Sequence, residues 1–116
     1  MVTSRLFLTG IAASGRHGAN PGEKDQAQDF VVDLDVEVEV GDDELTSTAD
    51  YRTLVRTARE TVERDSFDLL ESLAHAVAND ALALDGVVKV SAIVHKPAAA
   101  RSSEVQGIAA AATVER

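Results

Sequence analysis

The chain has 116 residues, 11 of them Lys or Arg and 20 Asp or Glu, for a formal net charge of -9. That length predicts a single domain over residues 1–116, with a real core but no room for a regulatory domain, so an active site can need help from a neighbouring copy. The acidic balance disfavours a nucleic-acid partner, which wants clustered cations, and the absence of cysteine excludes disulfides and thiolate zinc sites.

Met1 to Gly10 has one arginine and neither an apolar signal core nor a small-residue cleavage site. No stretch approaches the roughly 20 apolar residues of a membrane span. A cytoplasmic protein without a membrane partner is expected. Arg5 to Ile11 reads as a short strand, followed by a glycine-rich polar loop from Ser14 to Asp25. Next comes the clearest periodicity in the chain. Phe30, Val32, Leu34, Val36, Val38 and Val40 alternate with Asp33, Asp35, Glu37 and Glu39, a strand with one buried and one acidic face.

Gly41-Asp42-Asp43-Glu44 is a turn, and Thr48 or Asp50 can cap a helix whose apolar positions are Leu54, Val55, Ala58 and Val62. A second helix follows Asp65, with Leu69, Leu70, Leu73, Val77, Ala78, Ala81 and Leu82 on its apolar side and Gly86 past its end. Val88, Val90, Ala92 and Val94 alternate with Lys89, Ser91 and His95, and Ile108 to Val114 is a last strand. Its alanines pack weakly, which suits a sheet edge or a subunit contact. The order strand, strand, helix, helix, strand, strand predicts an α+β fold, a four-stranded antiparallel sheet with both helices on one face.

Four reactive side chains stand in distinctive settings. Arg16-His17-Gly18-Ala19 precedes Glu23 and Gln28-Asp29-Phe30; Thr48-Ala49-Asp50 leads to Tyr51; Asp68-Leu69-Leu70 leads to Glu71; and Val94-His95 leads to Lys96 and Pro97. Each setting is common alone, but the conjunction is specific. It resembles the dihydroneopterin aldolase family over nearly the whole chain, in order and spacing. The resemblance implies the tunnelling fold, in which subunits join their sheets into a barrel, and so a homo-tetramer or homo-octamer with active sites between subunits.

By resemblance, Glu71 is the pterin anchor, since a carboxylate accepts the two adjacent ring donors in a two-pronged way, and Leu70 contributes backbone contacts. Asp68-Leu69-Leu70-Glu71 also fits a capping box, with Glu71 at the third helical position. Lys96 matches the catalytic acid/base; the plainer reading is a solvated strand-end lysine before a Pro97 loop. Tyr51 matches a proton donor to the intermediate, or is a core aromatic at a helix start. Glu23 matches a loop glutamate near the substrate side chain, or is simply solvated. His17 and His95 read as structural.

The implied reaction is retro-aldol cleavage of 7,8-dihydroneopterin in folate biosynthesis. A dihydropterin carries an imine beside the reacting carbon, so the substrate itself is the electron sink, and no metal or organic cofactor is implied. Zinc-dependent relatives are disfavoured because His17, His75 and His95 are isolated. Two alternatives remain: an epimerase of dihydroneopterin or its triphosphate, and a non-catalytic pterin-binding oligomer. Ala98 to Ser103 lacks the prolines common in the family after Lys-Pro, and Val105 replaces a common aromatic.

Overall fold

The structure, a computed structural model, describes residues 2–116. Four strands, β1 (Val2–Gly15), β2 (Gln28–Val40), β3 (Val87–His95) and β4 (Ala109–Glu115), form one antiparallel sheet in the order β1-β2-β3-β4. Helices α1 (Tyr51–Arg64) and α2 (Leu70–Leu82) connect β2 to β3. The expected α+β layout is the one observed, with α1 packed on β1 and α2 on β3 and β4.

The alternation in β2 does what its period predicts. Val32, Leu34, Val36 and Val38 are buried under the helices, and Asp33, Asp35 and Glu37 line the opposite face. Burying each such aliphatic side chain stabilises by about 1.5–3 kcal/mol relative to exposure, so this strand is the spine of the core. From the other side, Leu54, Ala58 and Val62 of α1 and Leu73, Val77, Ala78 and Ala81 of α2 meet it. Among the described residues, no helix is long and apolar enough to cross a membrane.

β1 is longer at both ends than the Arg5 to Ile11 strand expected: Val2 to Ser4 pair with the end of β2, and beyond Leu8 a bulge repairs the phase. Leu8 pairs with Leu34 and Ile11 with Val32, so β1 carries one residue more than β2 over this step. Without that insertion, Ile11 and Ala13 would point away from the helices. Gly10 supplies the required backbone at φ 78. A second irregularity lies in β3, where Val38 pairs with Val87 and Glu37 with Lys89. As a result Val87 is buried and Val88 only half-buried, whereas the sequence pattern puts Val88 on the apolar side.

The region after Pro97 is a helix, α3 (Pro97–Ser102), not the loop expected from sequence. Proline at the first helical position gives up no hydrogen bond and presets φ, and three alanines follow it. β4 is an edge strand, as its weak packing predicted, and β1 is the other edge.

Candidate active site

At one end of the sheet, Lys96 ends β3 and occupies the N-cap position of α3. Its backbone is fixed on both sides: its N–H donates to the Ile108 carbonyl at 2.9 Å, and its carbonyl accepts from Ala100 at 3.2 Å. Its Nζ lies 2.5 Å from Glu23 Oε2, with the two side chains only 15% and 16% exposed. Gln28 Nε2 donates to the same Oε2 at 3.1 Å, and the Asn20 N–H donates to Oε1 at 3.2 Å. The Lys96 ammonium first, and the Gln28 amide second, hold the Glu23 carboxyl down to about 2.

The loop that carries Glu23 is folded by its own chemistry. Arg16 reaches across it to the Lys24 and Asp25 carbonyls. Gly18 has φ 154, and a Cβ there would lie 1.9 Å from the Glu23 carboxyl carbon, so the glutamate folds over space that only glycine leaves free. His17 is buried between Phe30 and Phe67. The Phe67 N–H donates to its Nδ1 at 3.0 Å, which leaves Nε2–H to donate to the Val62 carbonyl at 2.8 Å. Burial pushes the His17 pKa down, keeping the ring in this neutral form.

The same contacts bring the start of α2 to this end of the sheet. Gly18 donates to the Phe67 carbonyl at 2.9 Å, and Lys24 pairs with Asp68 at 2.6 Å. Leu70 and Glu71 follow directly, Leu70 half-buried and Glu71 exposed. The capping-box alternative for Glu71 does not form: Leu69, not Asp68, is the N-cap, no side chain caps the helix, and Asp68 is turned to Lys24. Glu71 is the second helical residue instead of the third, so its carboxylate remains available.

Tyr51 lies elsewhere. It opens α1 behind the Asp50 cap and is 57% exposed. Val62, whose carbonyl meets His17, is eleven residues further along, which puts Tyr51 roughly 16 Å up the helix axis from that contact. Its neighbour Ala49 sits against Gly86 at the opposite end of the sheet. One chain therefore pairs Glu23 with Lys96 and ties the start of α2, just before Leu70 and Glu71, to the same loop through Phe67 and Asp68; neither Leu70 nor Glu71 lines the pocket beside the pair, and Tyr51 lies at the other end of the sheet.

Beside the Glu23–Lys96 pair an open pocket of about 310 Å³ is lined by Asn20, Glu23, Gln28, Lys96, Ala99 and Ser103, among others. The short side chains of α3, Ala98 and Ala99 among them, leave this room. His95 faces the other side of the sheet, with Nε2 2.8 Å from Asp33 Oδ2. Burial works against charge on Asp33, but the Gly10 N–H and His95 hold its carboxyl below the ordinary value. Sequence reasoning assigned no role to Gln28, although it stands in the quoted Gln28-Asp29-Phe30 setting. Its amide contacts were the missing signal.

A four-stranded antiparallel sheet backed by two helices is the subunit architecture of the tunnelling fold. Residues 6–113 match the family described as dihydroneopterin aldolase (FolB). A dihydroneopterin aldolase of Streptomyces coelicolor is 36% identical over 97 residues, spanning 80% of this chain and 82% of that protein. The chain belongs to the dihydroneopterin aldolase family. Two solved structures share the fold. The Escherichia coli dihydroneopterin aldolase in complex with neopterin has a TM-score of 0.79 at 21% identity, over 97% of this chain and 98% of that one. A Burkholderia thailendensis dihydroneopterin aldolase bound to guanine has 0.80 at 24%, over 98% and 92%.

Proposed function

We propose that this chain is a cytoplasmic 7,8-dihydroneopterin aldolase of folate biosynthesis, working as one domain over residues 1–116 and releasing 6-hydroxymethyl-7,8-dihydropterin and glycolaldehyde. The observation that carries the reading is the Glu23–Lys96 pair beside an open pocket, at the end of the sheet where Glu71 is free. The 36% identical relative bears the same activity in its name, and the E. coli structure holds neopterin.

Glu71 accepts the pterin's ring N–H and amino donors, with Leu70 supplying backbone contact. The side chain then extends toward Lys96 and Glu23. In the reaction the hydroxyl on the carbon beyond the scissile bond loses its proton, that carbon becomes the aldehyde, and the bonding pair flows into the pterin imine. Lys96 moves the proton, and Glu23, ionised at any physiological pH, orients the hydroxyls. A proton then returns to the carbon attached to the ring, and Tyr51 is its donor.

For Tyr51 to act, it must come from a second copy. Its exposure at the far end of α1 and the two open sheet edges support a homo-tetramer or homo-octamer with sites between subunits. The test is a metal-free incubation with 7,8-dihydroneopterin, following both products and the epimer by chromatography, with Lys96→Ala as control. Cleavage that disappears in the control supports the reading. Epimer without glycolaldehyde makes the protein an epimerase, and pterin binding without turnover makes it a binding protein. A Lys96→Ala variant with an intact single-turnover rate would remove Lys96 from the chemistry.

A further inference from the structure

Gln28 is the first residue of β2 and pairs with Gly15 across the sheet, so its backbone is held by the ladder and not by the loop. Its single amide nitrogen has two hydrogens and two acceptors: Glu23 Oε2 at 3.1 Å and the His17 carbonyl at 3.3 Å. Both ends of the Arg16 to Asp25 loop are thus tied to one side chain on a rigid strand. Of the groups that hold the Glu23 carboxylate, Lys96 is the one whose charge changes when it moves a proton. Asn20 donates from within the loop itself. Gln28 alone is a side chain that cannot titrate and is anchored in the sheet.

We propose that Gln28 is a positioning residue of this site, donating from the start of β2 to Glu23 Oε2 so that the carboxylate stays aimed at Lys96 while the Lys96 proton is away. The kinetic part of this proposal rests on the aldolase reading, whereas the geometric part does not. A carboxylate released from Gln28 has open pocket on one side and can swing into it. The charged groups around it are Lys96 from the end of β3 and Lys24, which is turned to Asp68. Neither replaces a neutral donor fixed to β2.

Two variants test the role. Gln28→Ala removes the donor. Gln28→Glu keeps the length and shape, so it guards against a folding failure, but when ionised it donates nothing and sets a like charge against Glu23. Each is assayed for kcat and KM with 7,8-dihydroneopterin, for thermal unfolding, and, without substrate, for the titration of Glu23 by carbon NMR of carboxyl-labelled glutamate. The expected result for Gln28→Ala is a kcat lowered about tenfold with KM within about twofold, and a Glu23 titration moved up from about 2. Gln28→Glu moves that titration further up.

An unmoved Glu23 titration in folded variants would overturn the proposal. So would an unchanged kcat, or a loss of activity that tracks thermal stability alone, because either reduces Gln28 to closing the loop through His17. If the unmodified protein cleaves no dihydropterin, the aldolase reading fails, and the substrate-free titration still decides what Gln28 does.

Discussion

The two ends of the sheet are built differently. At the Lys96 end, one carboxylate takes three donors from three segments, and a buried histidine stitches the loop to α1 and to the turn before α2. At the Tyr51 end, a helix N-terminus is capped by its own Asp50, and Leu45 and Tyr51 are more than half exposed. The first end satisfies its polar groups within the chain. The second leaves an aromatic and its hydroxyl at the surface of the chain. The contrast teaches that Glu23 and Lys96 are paired within one chain, and under the proposed reading the Tyr51 phenol would serve a site completed by another copy.

The most severe way to break this comparison is to divide the site between chains. Lys96→Ala is expected to lower single-turnover rate by roughly 10²–10⁴, the range for a positioned acid/base. Tyr51→Ala is expected to damage turnover as well. If the ends complement each other, refolding the two inactive chains together at equal ratio restores activity at about a quarter of the interfaces, where an intact Lys96 meets an intact Tyr51. If both residues serve the same chain's site, no mixture recovers, and the division between the ends is wrong.

Next in size is the stitch itself. His17→Ala leaves the Val62 carbonyl and the Phe67 N–H without their partner and opens a void beside Phe30 and Phe67. The cost is about 3 kcal/mol in denaturant unfolding. Acid should reach the same joint in the unmodified protein. The folded His17 pKa is lowered below its ordinary 6.5, so the unfolded chain binds the proton more readily. This contribution to stability is complete above pH 6.5 and is lost as pH falls through the folded value. Stability of His17→Ala that declined just as steeply over that window would locate the acid sensitivity elsewhere.

How far these ends could be read beforehand depends on sequence distance. The alternation of β2, the Asp50 cap and the apolar stripes of α1 and α2 are local patterns, and they were legible. The two strand irregularities were not, because a bulge is decided by the phase of the partner strand: Leu8 and Ile11 differ in parity, and only pairing with β2 puts both under the helices. α3 was missed because Pro97 reads equally as a strand terminator and as a first helical residue. In the site, Lys96 and Glu23 lie 73 residues apart, and His17 meets Val62 and Phe67 from 45 and 50 away. Motifs identified these residues, but no spacing rule could pair them, or show that Gln28 joins Glu23.

A smaller effect separates binding from chemistry at the Lys96 end. Glu71 is exposed and unengaged by the α2 cap, so Glu71→Ala leaves no buried partner stranded and should barely change stability. Removing a charge-assisted hydrogen-bonding partner is worth about 1.5–3 kcal/mol. Pterin affinity should therefore fall by roughly ten- to a hundredfold, with the single-turnover rate at saturation nearly kept. A variant that bound pterin normally and lost turnover would transfer the anchor to another group and remove Glu71 from the Lys96 half of the site.

The smallest effect sharpens the Tyr51 end. Asp50 accepts from the Arg52 N–H at 2.9 Å, as an N-cap, and also pairs with the Arg52 side chain at 2.8 Å. The Arg52 side chain is 67% exposed, so that ion pair is screened and worth little, whereas a capping bond satisfies a backbone donor that has no helical partner. Asp50→Ala should cost about 1 kcal/mol, and Arg52→Ala, which keeps the backbone N–H, should cost next to nothing. Lys96 and Glu23 sit at the other end of the sheet, so Asp50→Ala should leave the Glu23 titration unmoved while lowering activity through Tyr51. A shift in that titration would mean the two ends communicate within one chain, and the separation drawn between them would have to be abandoned.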